Sequence, residues 1–220
     1  MKRLIVYAVA VCVPLLVTSA LAQDEEIELE KDLLEVAIFG GIGSPVSGID
    51  EFQVDLGAKS GFNLGGEIGY FVSLNFVIGL SFQYNQFGVD NDFDGQLTQH
   101  HNLYSSALYA KYSLPGESNW EPYFIGRIGL DFPKFSTFVT NTAGDRWREL
   151  SYDPVFGVGG GAGIFYFTSD YSGLFLEVNY HHAFSSSTTA TYQDSETNFG
   201  ENISVVDIHA GIRVFFGPGS

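Results

Sequence analysis

The stretch from Ile203 to Phe216 reads ISVVDIHAGIRVFF, with Val206, Ile208, Ala210, Ile212, Val214 and Phe216 at alternate positions. Between them stand Asp207, His209, Gly211, Arg213 and Phe215. Successive side chains of a strand point to opposite faces, so this spacing predicts a strand with one greasy face and one mixed, partly charged face. A one-residue slip would exchange the two sets wholesale, so the alternation specifies which face meets what.

Working outward, the same period of two recurs at about 34–44, 61–72, 75–87, 99–113, 122–132, 154–168 and 173–184, which with 203–216 predicts eight strands and no helix. Phe76, Ile78, Leu80, Phe82 and Tyr84 oppose Val77, Gly79, Ser81, Gln83 and Asn85. Leu174, Leu176, Val178 and Tyr180 oppose Phe175, Glu177, Asn179 and His181. In 154–168 the second set includes four glycines, Gly157, Gly159, Gly161 and Gly163. The connections alternate in length. Those at 45–60, 88–98, 133–153 and 185–202 are long, whereas 73–74, 114–121 and 169–172 are short. Sorting of long and short loops to opposite ends is the habit of an up-and-down barrel in an outer membrane.

Two barrels could use this pattern. A soluble, lipocalin-like barrel turns the apolar set inward around a greasy ligand, and a membrane barrel turns it outward. A water-facing wall should be rich in Lys and Glu, yet the second set offers Gly, Ser and Asn with about one charge per strand. An eight-stranded bore has room only for side chains, which suits that set. The reading is therefore all-β, an eight-stranded antiparallel up-and-down transmembrane β-barrel.

Composition agrees. The 220 residues include 26 Gly, 20 Phe and 12 Tyr, with 10 basic and 26 acidic residues and a net charge of −16. Nothing supplies a basic stripe for phosphates, so nucleic acid is excluded as a partner. Lys2 and Arg3, the uncharged run Leu4–Val17 and Ala20-Leu21-Ala22 form a secretory signal, expected to occupy 1–22. Cleavage there removes Cys12, Lys2 and Arg3, leaving eight basic against 26 acidic residues, a net of −18. Residues 23–33 (QDEEIELEKDL) read as a solvated acidic periplasmic tail, 34–216 as the barrel, and 217–220 as a short C-terminal tail.

On the second set lie Glu35, Glu67, Lys111, Arg127, Asp131, Glu177, Asp207 and Arg213, with His181 and His209. Charges in a confined bore must be paired or hydrated, which predicts a salt-bridge network that fixes register. The alternative is a narrow gate for ions or small solutes. Tyr70, Phe71, Phe87, Tyr104, Tyr112, Trp120, Tyr123, Phe132, Phe165, Tyr166, Phe167, Phe184 and Phe216 cluster near segment ends. Amphipathic rings favour the headgroup boundary, so two interfacial girdles are expected.

His209-Ala210-Gly211-Ile212-Arg213-Val214-Phe215-Phe216 resembles the C-terminal assembly signal of bacterial outer-membrane barrels, with His209, Gly211, Val214 and Phe216 at its marked positions. PYFIGRIGL (122–130), FGVGGGAGIFYF (156–167) and GLFLEVNY (173–180) resemble strands of small OmpA-like, opacity-type barrels. The resemblance spans about 34–216. It implies residence in the outer membrane of a Gram-negative bacterium, contact with its lipid and lipopolysaccharide, and handling by the outer-membrane assembly machinery.

Other chemistry is thinner. Asp90, Asp92 and Asp94 precede Gly95 in DNDFDG, the opening spacing of a calcium loop. However, His101 stands where such loops close with Glu, so a solvated acidic loop is the stronger reading. His101 and His181 share the inward parity without a third metal ligand. His182 points outward near Ser185–Ser187, but the His-x-Ser-Asn pattern of lipid A deacylases is absent, so no catalytic residue and no cofactor are assigned. Function is expected in the extracellular loops, as a structural or surface-interaction role with a possible extracellular ligand. A narrow pore and, further off, a lipid A-modifying enzyme are the alternatives.

Overall fold

Apolar and β-branched residues at alternate positions, punctuated by Leu74-Asn75 and Asp170-Tyr171 turns, give strands and no helix among the described residues. The computed structural model describes residues 33–47, 58–89, 97–114, 116, 118–139, 146–151, 153–184, 188–192, 195–199 and 202–217. Its strands are β1 (Leu34–Ser47), β2 (Ala58–Ser73), β3 (Phe76–Val89), β4 (Leu97–Ser113), β5 (Trp120–Val139), β6 (Arg146–Ser151), β7 (Val155–Ser169), β8 (Ser172–Phe184), β9 (Thr188–Tyr192), β10 (Ser195–Phe199) and β11 (Ile203–Phe216).

Eight of these close a ring in the order β1-β2-β3-β4-β5-β7-β8-β11, with β11 returning to β1, every pair antiparallel. Closure leaves no edge of the ring unpaired, the condition for crossing a bilayer with strands. The ring strands contain the eight expected segments, each a few residues longer or shifted at its ends. The connections 133–153 and 185–202 differ from the expectation of plain loops. β5 runs on to Val139 and pairs with β6 from Lys134↔Ser151 to Val139↔Arg146, while β9 and β10 form their own two-stranded sheet.

The sidedness follows the parity. Thirty large apolar or aromatic side chains are exposed among the described residues, including Ile38 (65%), Leu108 (61%) and Leu80 (46%). An apolar surface of this extent does not persist in water, and the lipocalin-like alternative falls with it. Along the regularly alternating outward faces the middle of the wall carries no charge. The inward faces hold glycines against rings. A Cβ at Gly163 would lie 2.4 Å from Tyr123 Cζ, and one at Gly69 would lie 2.1 Å from the Tyr109 hydroxyl. In a bore this narrow, a large ring lies over a nearby strand only where that strand has no side chain of its own, as Tyr123 does over its register partner Gly163.

Two apolar clusters occupy the two ends of the bore. Leu33, Phe71, Phe165, Phe167 and Phe215 belong to the larger, toward the short turns, and Phe39 and Phe175 extend it inward. Phe87, Leu103, Val155, Ala183, Ile203 and Val205 form the other, toward the long loops.

Candidate functional site

Between those clusters lies a ladder of buried charge whose members come from six strands. Near the short turns Glu35, fully buried, accepts from Tyr109 Oη at 2.7 Å and from Lys111 Nζ. Arg213 Nε lies 3.5 Å from the same carboxylate and Arg213 Nη2 lies 3.3 Å from Glu67. Its guanidinium also sits 4.6 Å from the Phe175 ring centre and 5.1 Å from that of Tyr123. Contact with ring faces stabilises a cation that has left water.

One step further along, Arg127 donates from Nη2 to Glu67 at 2.6 Å and to Glu177 at 2.7 Å, and from Nη1 to Asn179 Oδ1 at 2.6 Å. Glu177 also accepts from Tyr123 Oη at 2.9 Å and from Asn179 Nδ2 at 2.6 Å. Charge-assisted bonds of this length are the strong ones, and in a buried setting each carboxylate depends on them. Because Arg127 fixes the Asn179 oxygen, the Asn179 amide nitrogen faces His209 Nδ1 at 3.3 Å. His209 stacks on Phe39 with ring centres 4.5 Å apart.

In the long-loop half the pairing is weaker. Asp131 accepts from Ser105 Oγ at 2.5 Å and meets His181 Nε2 at 2.7 Å. Asp207 accepts from Asn63 Nδ2 at 3.2 Å and Gln83 Nε2 at 3.0 Å, with His209 Nε2 at 3.9 Å. A cavity of about 20 Å³ lies here, lined by Ser81, Gln83, Ser105, Arg127, Asp131 and His181 among others. That is the volume of about one ordered water.

All eight charged residues named from sequence therefore lie inside the barrel, each at most 8% exposed. Six of them, Glu35, Glu67, Lys111, Arg127, Glu177 and Arg213, form one connected network. Asp131 does not join it and leans on His181 and Ser105, whereas Asp207 leans on the Asn63 and Gln83 amides and touches the network only through His209, 3.9 Å from Asp207 and 3.8 Å from Glu177. Charge alone does not single out Tyr109, Asn63 and Ser105, although their parity is that of the charges.

The girdle expectation needs correction. Tyr70, Tyr104, Tyr112, Trp120, Phe132, Phe184 and Phe216 are exposed on the wall, and Tyr166 is half-exposed outside. Phe71, Phe87, Tyr123, Phe165 and Phe167 are instead buried in the bore, at 0–4%. Their odd parity places them with Glu67, Val77, Arg127 and the glycines, and this outweighs nearness to a segment end.

In the last strand His209 faces inward, Gly211 makes room for Phe175 (its Cβ would lie 2.7 Å from Cε1), and Phe216 is 48% exposed outside beyond Val214. Asp90, Asp92, Asp94 and Ser185–Ser187 lie outside the described residues. His182 Nδ1 is instead 2.7 Å from the Ser204 hydroxyl, which is 2% exposed and also accepts from Tyr180 Oη at 3.1 Å. His101 is buried, His181 is bound to Asp131, and no group of three metal-ligating residues gathers among the described residues.

A closed eight-stranded ring with an apolar wall, a charge ladder in its bore and loops sorted by length is a small β-barrel of the outer-membrane type. No family model matches the sequence, and no curated protein matches it. Solved structures do resemble it. Neisserial surface protein A is 18% identical with a TM-score of 0.54, over 83% of this chain and 97% of that one. The outer membrane protein OprG from Pseudomonas aeruginosa is 15% identical with a TM-score of 0.54, over 88% and 100%. A major outer membrane protein from Thermus thermophilus is 11% identical with a TM-score of 0.54, over 83% and 99%. Likeness at these identities establishes the shared fold.

Proposed function

We propose that the protein is a non-enzymatic barrel of the Gram-negative outer membrane that holds its long loops at the cell surface for interaction with a cationic partner. The observation that carries this reading is the bore: an interlocked charge ladder between two apolar clusters suits a rigid stake better than a conduit. Rigid scaffolds that present loops commonly place recognition in the loops. The four long connections hold twelve acidic and four basic residues, and such an electronegative rim attracts positive surfaces. The His182–Ser204 pair favours no hydrolysis, because the hydroxyl is covered by its neighbours. In this reading the last strand, ending at Phe216, is what the assembly machinery engages.

The test pairs two measurements on the full chain in lipid. In a planar bilayer the protein gives no steady conductance, and ion-sized steps abolished by Arg127→Ala would replace this reading with the narrow pore. In a binding assay against basic and acidic protein surfaces, the basic ones are retained. Exchanging Asp50, Glu51, Asp55, Asp90, Asp92 and Asp94 for Asn or Gln releases them. Retention unaffected by these exchanges refutes the loop assignment.

A further inference from the structure

One charged side chain breaks the apolar wall. Among the described residues, the regularly alternating outward faces of the eight ring strands carry a single Lys or Arg, Lys134 on β5. It lies in a register row with Gln86 on β3 and Asn102 on β4, directly above a row of rings, Tyr84, Tyr104 and Phe132. The two rows are joined. Lys134 Nζ stands 5.7 Å over the Tyr104 ring, Tyr84 Oη donates to Asn102 Oδ1 at 2.9 Å, and Gln86 Nε2 donates to Tyr84 Oη at 3.0 Å.

Eight residues along each strand the wall shows a second aromatic row, Phe76, Tyr112 and Phe124. At about 3.3 Å per residue and a tilt near 40°, the two rows are about 20 Å apart, within the apolar band of such barrels. The Lys134 row therefore sits at the headgroup level on the long-loop side, with only hydrocarbon-facing side chains beneath it.

We propose that Lys134, Gln86 and Tyr104, braced by the buried Asn102, form a headgroup site for a phosphorylated glycolipid of the outer leaflet. The ammonium meets a phosphate, the half-buried Gln86 amide and the exposed Tyr104 phenol meet sugar hydroxyls and amide-linked chains, and Leu108, Ile128 and Leu130 receive the acyl tails. Charge and height select this occupant. An ammonium held over a ring at the headgroup boundary, with amides on one side and apolar wall below, complements a lipid that joins an anion to hydroxyls and tails. A zwitterionic phospholipid brings its own ammonium and gains less from it.

The inference rests on the outer-membrane placement given above. The experiment is native mass spectrometry of the detergent-purified full chain titrated with bis-phosphorylated lipid A, dephosphorylated lipid A, phosphatidylethanolamine and inorganic phosphate. Bis-phosphorylated lipid A is expected to be retained. Dephosphorylation, or Lys134→Gln, lowers retention by about fivefold, the factor one cation near an anionic lipid surface is worth. Lys134→Arg preserves it, which guards against a folding defect. Free phosphate leaves no adduct, because the rings and tails hold the rest of the lipid. Equal retention by wild type and Lys134→Gln, equal retention of the dephosphorylated lipid or of phosphatidylethanolamine, or a phosphate adduct without lipid overturns the site. Fractionation of the protein away from the outer membrane would instead overturn the placement on which it rests.

Discussion

Replacing Arg127 by Met tests the charge ladder at its busiest point. The substitution keeps most of the aliphatic volume and removes three bonds of 2.6, 2.6 and 2.7 Å, to Asn179, Glu67 and Glu177. Glu67 then keeps only the longer Arg213 contact at 3.3 Å, and Glu177 keeps the Tyr123 and Asn179 donors without any Lys or Arg. The side chains of Arg127 and Glu177 are 8% and 1% exposed, so water does little to compensate. Removing one partner of a buried pair costs about 3–5 kcal/mol, because the surviving charge is stranded. Unfolding by guanidinium in lipid vesicles, followed by the fluorescence of the two tryptophans, should show Arg127→Met destabilised by that amount. Adding Glu177→Gln removes one stranded charge, while its amide oxygen still accepts from Tyr123. The double variant should therefore recover about 1–2 kcal/mol, the coupling expected of direct neighbours. A loss below about 1 kcal/mol for Arg127→Met, or strict additivity of the two changes, would refute the view that these ions hold one another in place.

Gly163→Ala drives a Cβ to within 2.4 Å of the Tyr123 ring and 2.8 Å of the Leu176 carbonyl. It should lower stability by about 1–3 kcal/mol in the same assay. Gly126→Ala on the lipid face meets nothing within 4 Å and should be neutral, and equal effects at the two positions would contradict the ring-over-glycine packing. Leu108→Arg, in the middle of the wall, should cost about 2–4 kcal/mol, whereas Gln86→Arg at the boundary row should cost about 0–1 kcal/mol. The absence of such a depth gradient on refolding into vesicles would mean that the wall does not face hydrocarbon.

The alternation of ISVVDIHAGIRVFF and its seven counterparts was enough to determine the number of ring strands, the barrel class and which side chains face the bilayer, though not β6, β9 and β10 in the long connections. Strand periodicity is a local property, and a bilayer tolerates no exception to it along the middle of the wall. Parity also held the placement of Phe71, Phe87, Tyr123, Phe165 and Phe167 in the bore, where proximity to segment ends pointed the other way. Register and closure were not local. Glu35 reaches Lys111 across 76 positions, and Glu67 reaches Arg127 across 60 and Arg213 across 146. Which carboxylate meets which cation depends on the stagger of the whole ring. The same stagger leaves Asp131 and Asp207 without a Lys or Arg bridge among the described residues and puts Lys134 beside Asn102 and Tyr104. A strand's own residues settle which way its side chains point, but the height at which they meet their neighbours is decided only when the last strand pairs with the first.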